Sequence, residues 1–377
     1  MKKITLISVL FALLLSLTTP SFTDETQSIQ KPLIQMVILL DTSGSMDGLI
    51  EQAKTQLWKI VNEFIAAKRE GVRPEIQVAL YEYGKQSIPA AEGYLRMIVP
   101  LSTDLDKISE ELFALKTDGG DEYCGRVIKA AVEGLAWSKL NDDLKVIFIA
   151  GNEPFTQGDV DYKEACRLAI SKGIIVNTVF CGPHQEGIDT QWKDGAMLAD
   201  GMYLNIDQNQ QVVHIVSPQD QKIEELGKKL NETYIAYGQQ GLLSKERQEE
   251  QDSNAQASAP GVMLERAVCK SSANYANESW DLCDAITSGR KLEEIPVEEL
   301  PEEMKKMTLE ERKAFLETKK KERESVQKEI QGLSDEREKF VAEKRREMSQ
   351  VGENSFDVAL IQILRNQASK KKYSWEK

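Results

Sequence analysis

Short, almost wholly apolar runs recur between Leu33 and Tyr237, and a stretch with helical spacing follows most of them. This alternation constrains the fold most, because a strand that is apolar on both faces has to be covered on both sides. Met36–Leu40, "EIQVALYEY" (75–83), "LKVIFIAG" (144–151) and "IIVNTVFCG" (174–182) read as strands, with "MYLNI" (202–206) as a short last one. "LRMIVPL" (95–101) contains Pro100, which donates nothing to a ladder and so places this strand at an edge. Between them, Ile108, Leu112 and Leu115, then Val127, Ile128, Ala131 and Leu135, fall on helical faces. Further helices are expected over 162–172, 189–199 and 218–237. The expected class is α/β, a doubly wound, mostly parallel sheet with one antiparallel edge strand and a charged α-helical extension. Such sheets bind ligands at the carboxyl ends of their strands.

The ends of the chain differ from this middle. Met1-Lys2-Lys3, the 14-residue run Ile4–Leu17 and the small residues before Asp24 read as a secretory signal peptide over 1–23. Export places the protein in the periplasm or outside the cell, and the Lys-Lys start looks bacterial. After the α/β region (33–237), residues 238–290 are polar and read as a linker enclosing a short segment with Cys269 and Cys283. Residues 291–377 are rich in Glu, Lys and Arg and read as a helical tail. Thr308-x-x-Glu311 is a capping box, and Gly332 with Ser334 suggests a break between two helices. The heptad pattern through Val326, Ile330, Leu333 and Phe340 is weak, because Arg337 and Lys344 share its stripe. "VALIQIL" (358–364) needs an apolar surface, either the tail itself or a partner, which leaves self-association open.

A formal net charge of −13 argues against nucleic acid as a partner. Two histidines, His184 and His214, leave little room for zinc sites or His-based triads. Cys181 and His184 are only three apart around a Gly-Pro turn, a poor nucleophile–base pair. Five cysteines suit an exported chain. Cys269 with Cys283 is the expected disulfide, while Cys124, Cys166 and Cys181 are either bridged or small buried hydrophobes.

The first apolar strand runs straight into Asp41-Thr42-Ser43-Gly44-Ser45. Asp41, Ser43 and Ser45, at i, i+2 and i+4 in a tight loop, can turn three oxygens toward one point. Such hard ligands suit Mg²⁺, Mn²⁺ or Ca²⁺. The alternative is that Ser45 or Asp47 caps the following helix.

In this context DTSGSM resembles the metal-binding loop of von Willebrand factor type A domains, and the resemblance covers about 33–237. It implies a metal-ion-dependent adhesion site in which an acidic group of a partner protein completes the coordination of a divalent cation. It adds Asp121, in "KTDGGDEYCG" (116–125), as the ligand from a second loop, flanked by Asp118 and Glu122. Like charges on Asp41 and Asp121 would repel by roughly 4 kcal/mol at 4 Å and an effective dielectric of 20. A cation or Arg126 would relieve this. In the third loop the sequence departs from the family: Gly151 stands where many members carry Asp, leaving Asn152 and Glu153 as weaker candidates, with Phe155 and Gln157 beside any partner contact. The implied function is an exported, non-enzymatic, cation-dependent protein-binding module. The alternatives are a metal-independent envelope scaffold assembling through its tail and, behind that, a metal-dependent hydrolase.

Overall fold

A computed structural model describes residues 31–46, 50–206, 214–258, 261–349 and 356–375. The expected signal peptide lies outside the described residues, as does Asp47. Strand β1 (Leu33–Asp41) sits at the centre of a six-stranded sheet. It pairs in parallel with β3 (Glu75–Tyr83) on one side and with β5 (Leu144–Gly151) on the other. β6 (Ile175–Cys181) and β7 (Tyr203–Ile206) continue the parallel ladder outward from β5. β4 (Leu95–Ser102) runs antiparallel to β3 at the opposite edge. Pro100 is exposed there, next to a break in register, as its missing N–H requires.

Helices cover both faces. α1 (Ile50–Ala66), which is followed by the three-residue strand β2 (Ala67–Arg69), and α2 (Leu105–Ala114) lie on one face, with Trp58, Phe64, Ile108 and Leu112 in its core. α3 (Cys124–Gly134), α4 (Tyr162–Ser171) and α6 (Trp192–Leu198), the last preceded by the short α5 (His184–Asp189), build the core of the other face. α7 (Asp220–Asn231) follows the sheet.

Beyond residue 237 the structure corrects the sequence reading. Residues 238–257 are not a linker but the helix α8 (Gly238–Ala257), packed on α2. Its buried face is polar, which hid it from a reading by hydrophobic period. Gln248 donates to the Tyr275 hydroxyl (2.9 Å), Ser109 donates to Gln251 (2.9 Å), and Asp252 accepts from Arg266 (2.6 Å). Next come α9 (Val262–Lys270), α10 (Leu282–Thr287) and the one-turn α11 (Glu302–Lys305). The capping box forms as expected: the Thr308 N–H donates to Glu311 (2.7 Å) and the Glu311 N–H to Thr308 (3.3 Å). It opens α12 (Leu309–Ser349), which runs unbroken through Gly332. A helix tolerates one glycine at about 1 kcal/mol, and packing on α7 and α9 holds this one in place.

The apolar residues that needed a surface find it within the chain. Val326 and Ile330 join a core with α7 and α9. α13 (Phe356–Ser369) places Leu360, Ile363 and Leu364 in the same core as α1 and the sheet. The last strand, β8 (Tyr373–Trp375), pairs antiparallel with β2.

The cysteines also differ from expectation. All five are free and buried. Cys269 belongs to the core under the sheet, and Cys283 to a separate one around Leu316, so the expected bridge does not form.

Candidate metal centre

Register brings the chemistry together. Asp41 at the end of β1 pairs with Tyr83 at the end of β3, and Leu40 with Ala150, which places Gly151 next to Asp41. The loops after β1, β3 and β5 therefore open at one sheet edge. The loop before α3 is tied to them where the Asp118 N–H donates to the Thr42 carbonyl (2.9 Å).

Asp41 is fully buried. Its Oδ1 accepts the Ser43 N–H (2.8 Å), while Oδ2 has no hydrogen-bond partner among the described residues. The Ser43 and Ser45 hydroxyls are 2.9 Å apart, and Ser45 donates to Asn152 Oδ1 at 2.9 Å. Asn152 in turn donates to the Ser45 carbonyl (3.4 Å). The Ser45 hydroxyl thus ties the first loop to the third. An oxygen-rich path runs from the buried carboxylate to the surface.

The second loop presents its two carboxylates in opposite ways. Asp121 is exposed and accepts the Tyr123 hydroxyl (3.2 Å). Glu122 is buried, and its Cγ comes within 2.9 Å of the point above Gly84 where a Cβ would stand; Asp41 Oδ1 is 2.6 Å from the same point. Gly84 has φ +78°, so the space between the two acids stays free of a side chain. Asp118 is exposed. Gln157 accepts the Glu122 N–H (2.8 Å) and so shapes the loop. Phe155 is not a surface residue as expected: it is fully buried against Tyr162 and Trp192, with ring centroids 5.4 and 4.8 Å away. Glu153 is half-buried, and its carbonyl accepts the Trp192 indole N–H (2.8 Å).

The departure at Gly151 has a steric cause. A Cβ there would lie 2.5 Å from the Tyr83 hydroxyl and 3.0 Å from Asp41 Oδ2. Tyr83, whose hydroxyl donates to the Ala150 carbonyl (3.0 Å), fills the space a third-loop acid would need. Sequence reading missed Tyr83, because one more aromatic residue at the end of a strand carries no signal of its own.

Two carboxyls at this edge titrate abnormally. Burial pushes Asp41 up to about 7, against hydrogen bonds from Ser43 and a weaker pull from the Asn152 N–H, which closes no bond to Oδ2. Burial, then the charge of Asp41, pushes Glu122 to about 7. Arg126 does not relieve them: its guanidinium reaches Asp159 (3.2 Å) and the Ala91 carbonyl (3.0 Å). A buried carboxylate with one oxygen unpartnered, in a loop that carries two hydroxyls tied to an amide oxygen and with a second acid on the side of its other oxygen, fits a hard divalent cation. No group of three or more His, Cys, Asp or Glu gathers among the described residues. Cys181 donates to the Val179 carbonyl and His184 bonds Asn205, so these two do not pair as nucleophile and base.

The fold defines a class. The sequence model of the von Willebrand factor type A domain matches residues 35–191, and the chain contains such a domain. Among solved structures it is similar to BatB from Bacteroides thetaiotaomicron, at 16% identity over 46% of this chain and 90% of that one, with a TM-score of 0.36. It is also similar to the SpRpn10 VWA domain, at 14% identity over 48% of this chain and 91% of that one (TM-score 0.37). A third likeness is to proximal thread matrix protein 1 from the mussel byssus, described with a zinc-occupied MIDAS motif, at 11% identity over 48% and 43% of the two chains (TM-score 0.34). No curated protein matches the chain. No helix among the described residues is long and apolar enough to cross a membrane.

Proposed function

We propose that this chain is an exported, non-enzymatic protein-binding module that works through a divalent cation, Mg²⁺, Mn²⁺ or Ca²⁺, at the edge of its type A domain. The observation that carries this reading is Asp41 Oδ2, a buried carboxylate oxygen without a hydrogen bond, beside the Ser43 and Ser45 hydroxyls and Asn152. These groups hold the ion from the first and third loops, and the second loop adds a carboxylate. The bound cation would supply a positive charge at the surface end of this path, and an acidic side chain of a partner protein would complete its coordination. Tyr83, by occupying the third-loop position, keeps the protein's own acid away and leaves room for the partner's.

Calorimetric titration of the chelator-treated protein tests this. Wild type is expected to bind at least one of Mg²⁺, Mn²⁺ and Ca²⁺, and Asp41→Ala none. No heat with wild type, or equal binding by Asp41→Ala, would remove the basis of the proposal.

A further inference from the structure

We infer that Glu122, not Asp121, is the second-loop carboxylate of the cation site, and that Asp121 faces the partner instead. This rests on the cation reading above and concerns which neighbouring acid serves it. The two residues are adjacent in the chain and point to opposite sides of the loop. Glu122 turns inward and is only 6% exposed, meeting Asp41 across the bare Gly84. Its backbone is pinned in that orientation by Gln157. Asp121 turns outward onto the Tyr123 hydroxyl. Tyr123 is itself fixed: its ring meets Tyr94 edge-on at 5.6 Å, and it lies so close over Gly158 that a Cβ there would come within 2.7 Å of it. Bringing Asp121 to the site would mean breaking its bond to this fixed hydroxyl and turning an exposed side chain inward, where Glu122 already stands beside Asp41.

Asp41 and Glu122 then neutralise a divalent ion between them, with Ser43, Ser45 and Asn152 as neutral oxygen ligands. Asp121 and Asp118 remain exposed at the rim of the same edge. A partner that brings an acidic group to the cation meets these two carboxylates, so its contact segment should carry basic residues beside that acid.

The test compares full-length wild type, Glu122→Gln and Asp121→Asn by Mn²⁺ and Mg²⁺ calorimetry, with melting curves run with and without the ion. Glu122→Gln is expected to weaken binding by at least the roughly 10–100-fold typical of a group that only orients a ligand and to lose the ion-induced rise in melting temperature. Its ion-free melting should not fall, because it removes a charge that faces Asp41. Asp121→Asn should keep both the affinity and the rise. Loss of binding in Asp121→Asn with retention in Glu122→Gln, or equal losses in both, overturns the inference while leaving the cation site standing. Failure of wild type to bind overturns the site itself, and this assignment with it.

Discussion

Asp41 shows how much a single residue can hold at the end of a strand. Its carboxyl is buried and titrates near 7 rather than 3.8, so the folded protein keeps a proton that the unfolded chain has released. Stability from this group is therefore complete below pH 3.8 and is lost as pH rises through about 7. The shift corresponds to roughly 4 kcal/mol at pH 8 in the absence of a cation. In chelating buffer, Asp41→Asn is expected to be more stable than wild type at pH 8, by up to about that amount, and to converge with it near pH 4. Urea unfolding across this range checks the sign, and a wild type that gains on the variant as pH rises would contradict it. Saturating cation should reverse the order at pH 8. Gly151 makes a second residue-scale case. Gly151→Ala forces a Cβ against the Tyr83 hydroxyl and Asp41 Oδ2. It is expected to cost about 1–3 kcal/mol by overcrowding, measurable in the same unfolding assay.

At the scale of elements, helices after residue 237 are held to the type A domain by buried charge. Arg266, fully buried on α9, pairs with Asp106 of α2 (2.8 Å) and Asp252 of α8 (2.6 Å), and its guanidinium lies 5.1 Å from the Trp58 ring of α1. Lys270 adds a second cation to Asp252 and donates to Asn231 of α7 (2.7 Å). Burial alone would raise the Asp252 carboxyl, but the Lys270 and Arg266 charges hold it below its ordinary value. Removing one member leaves the others buried and uncompensated. Asp252→Ala is expected to cost about 3–5 kcal/mol, by chemical denaturation. A loss below about 1 kcal/mol, the usual scale of an exposed pair, would mean that water reaches the network. The same bonds explain why α8 could not be seen from its composition. A helix whose inward side chains are Gln248, Gln251 and Asp252 reads as linker until their partners on α2 and α9 and at Tyr275 are known.

At the scale of the molecule, the chain closes on itself. β8 pairs with β2, Arg365 of α13 binds Glu63 of α1 (2.6 Å), and Gln367 and Asn177 of β6 exchange buried amide hydrogen bonds at 3.1 and 2.6 Å. A chain ending at Ser349 loses the buried Leu360, Ile363, Leu364 and Tyr373 from the core beneath the sheet. Each such side chain is worth about 1.5–3 kcal/mol, so the shortened chain should melt well below the full one and bind a hydrophobic dye. An unchanged melting temperature would show that α13 and β8 merely lie on the surface.

The sequence by itself determined the six strands of the main sheet but not the β2–β8 pair, along with the edge position of Pro100, the capping box at Thr308 and the oxygen-bearing loop at Asp41, Ser43 and Ser45. All of these are local signals, written in period, turn chemistry or spacing. Only the tertiary structure decided that Glu122 rather than Asp121 turns inward, that Tyr83 excludes a side chain at 151, that Phe155 is core, and that Cys269 and Cys283 stay apart. The same holds for the tail, which returns to cover the sheet. The physical reason is common to these cases. Each depends on which atoms fill a shared space, and the partners that fill it lie far along the chain, as Gln367 does from Asn177. A one-dimensional pattern shows what a residue can do, whereas burial and close packing decide which of two adjacent carboxylates turns inward.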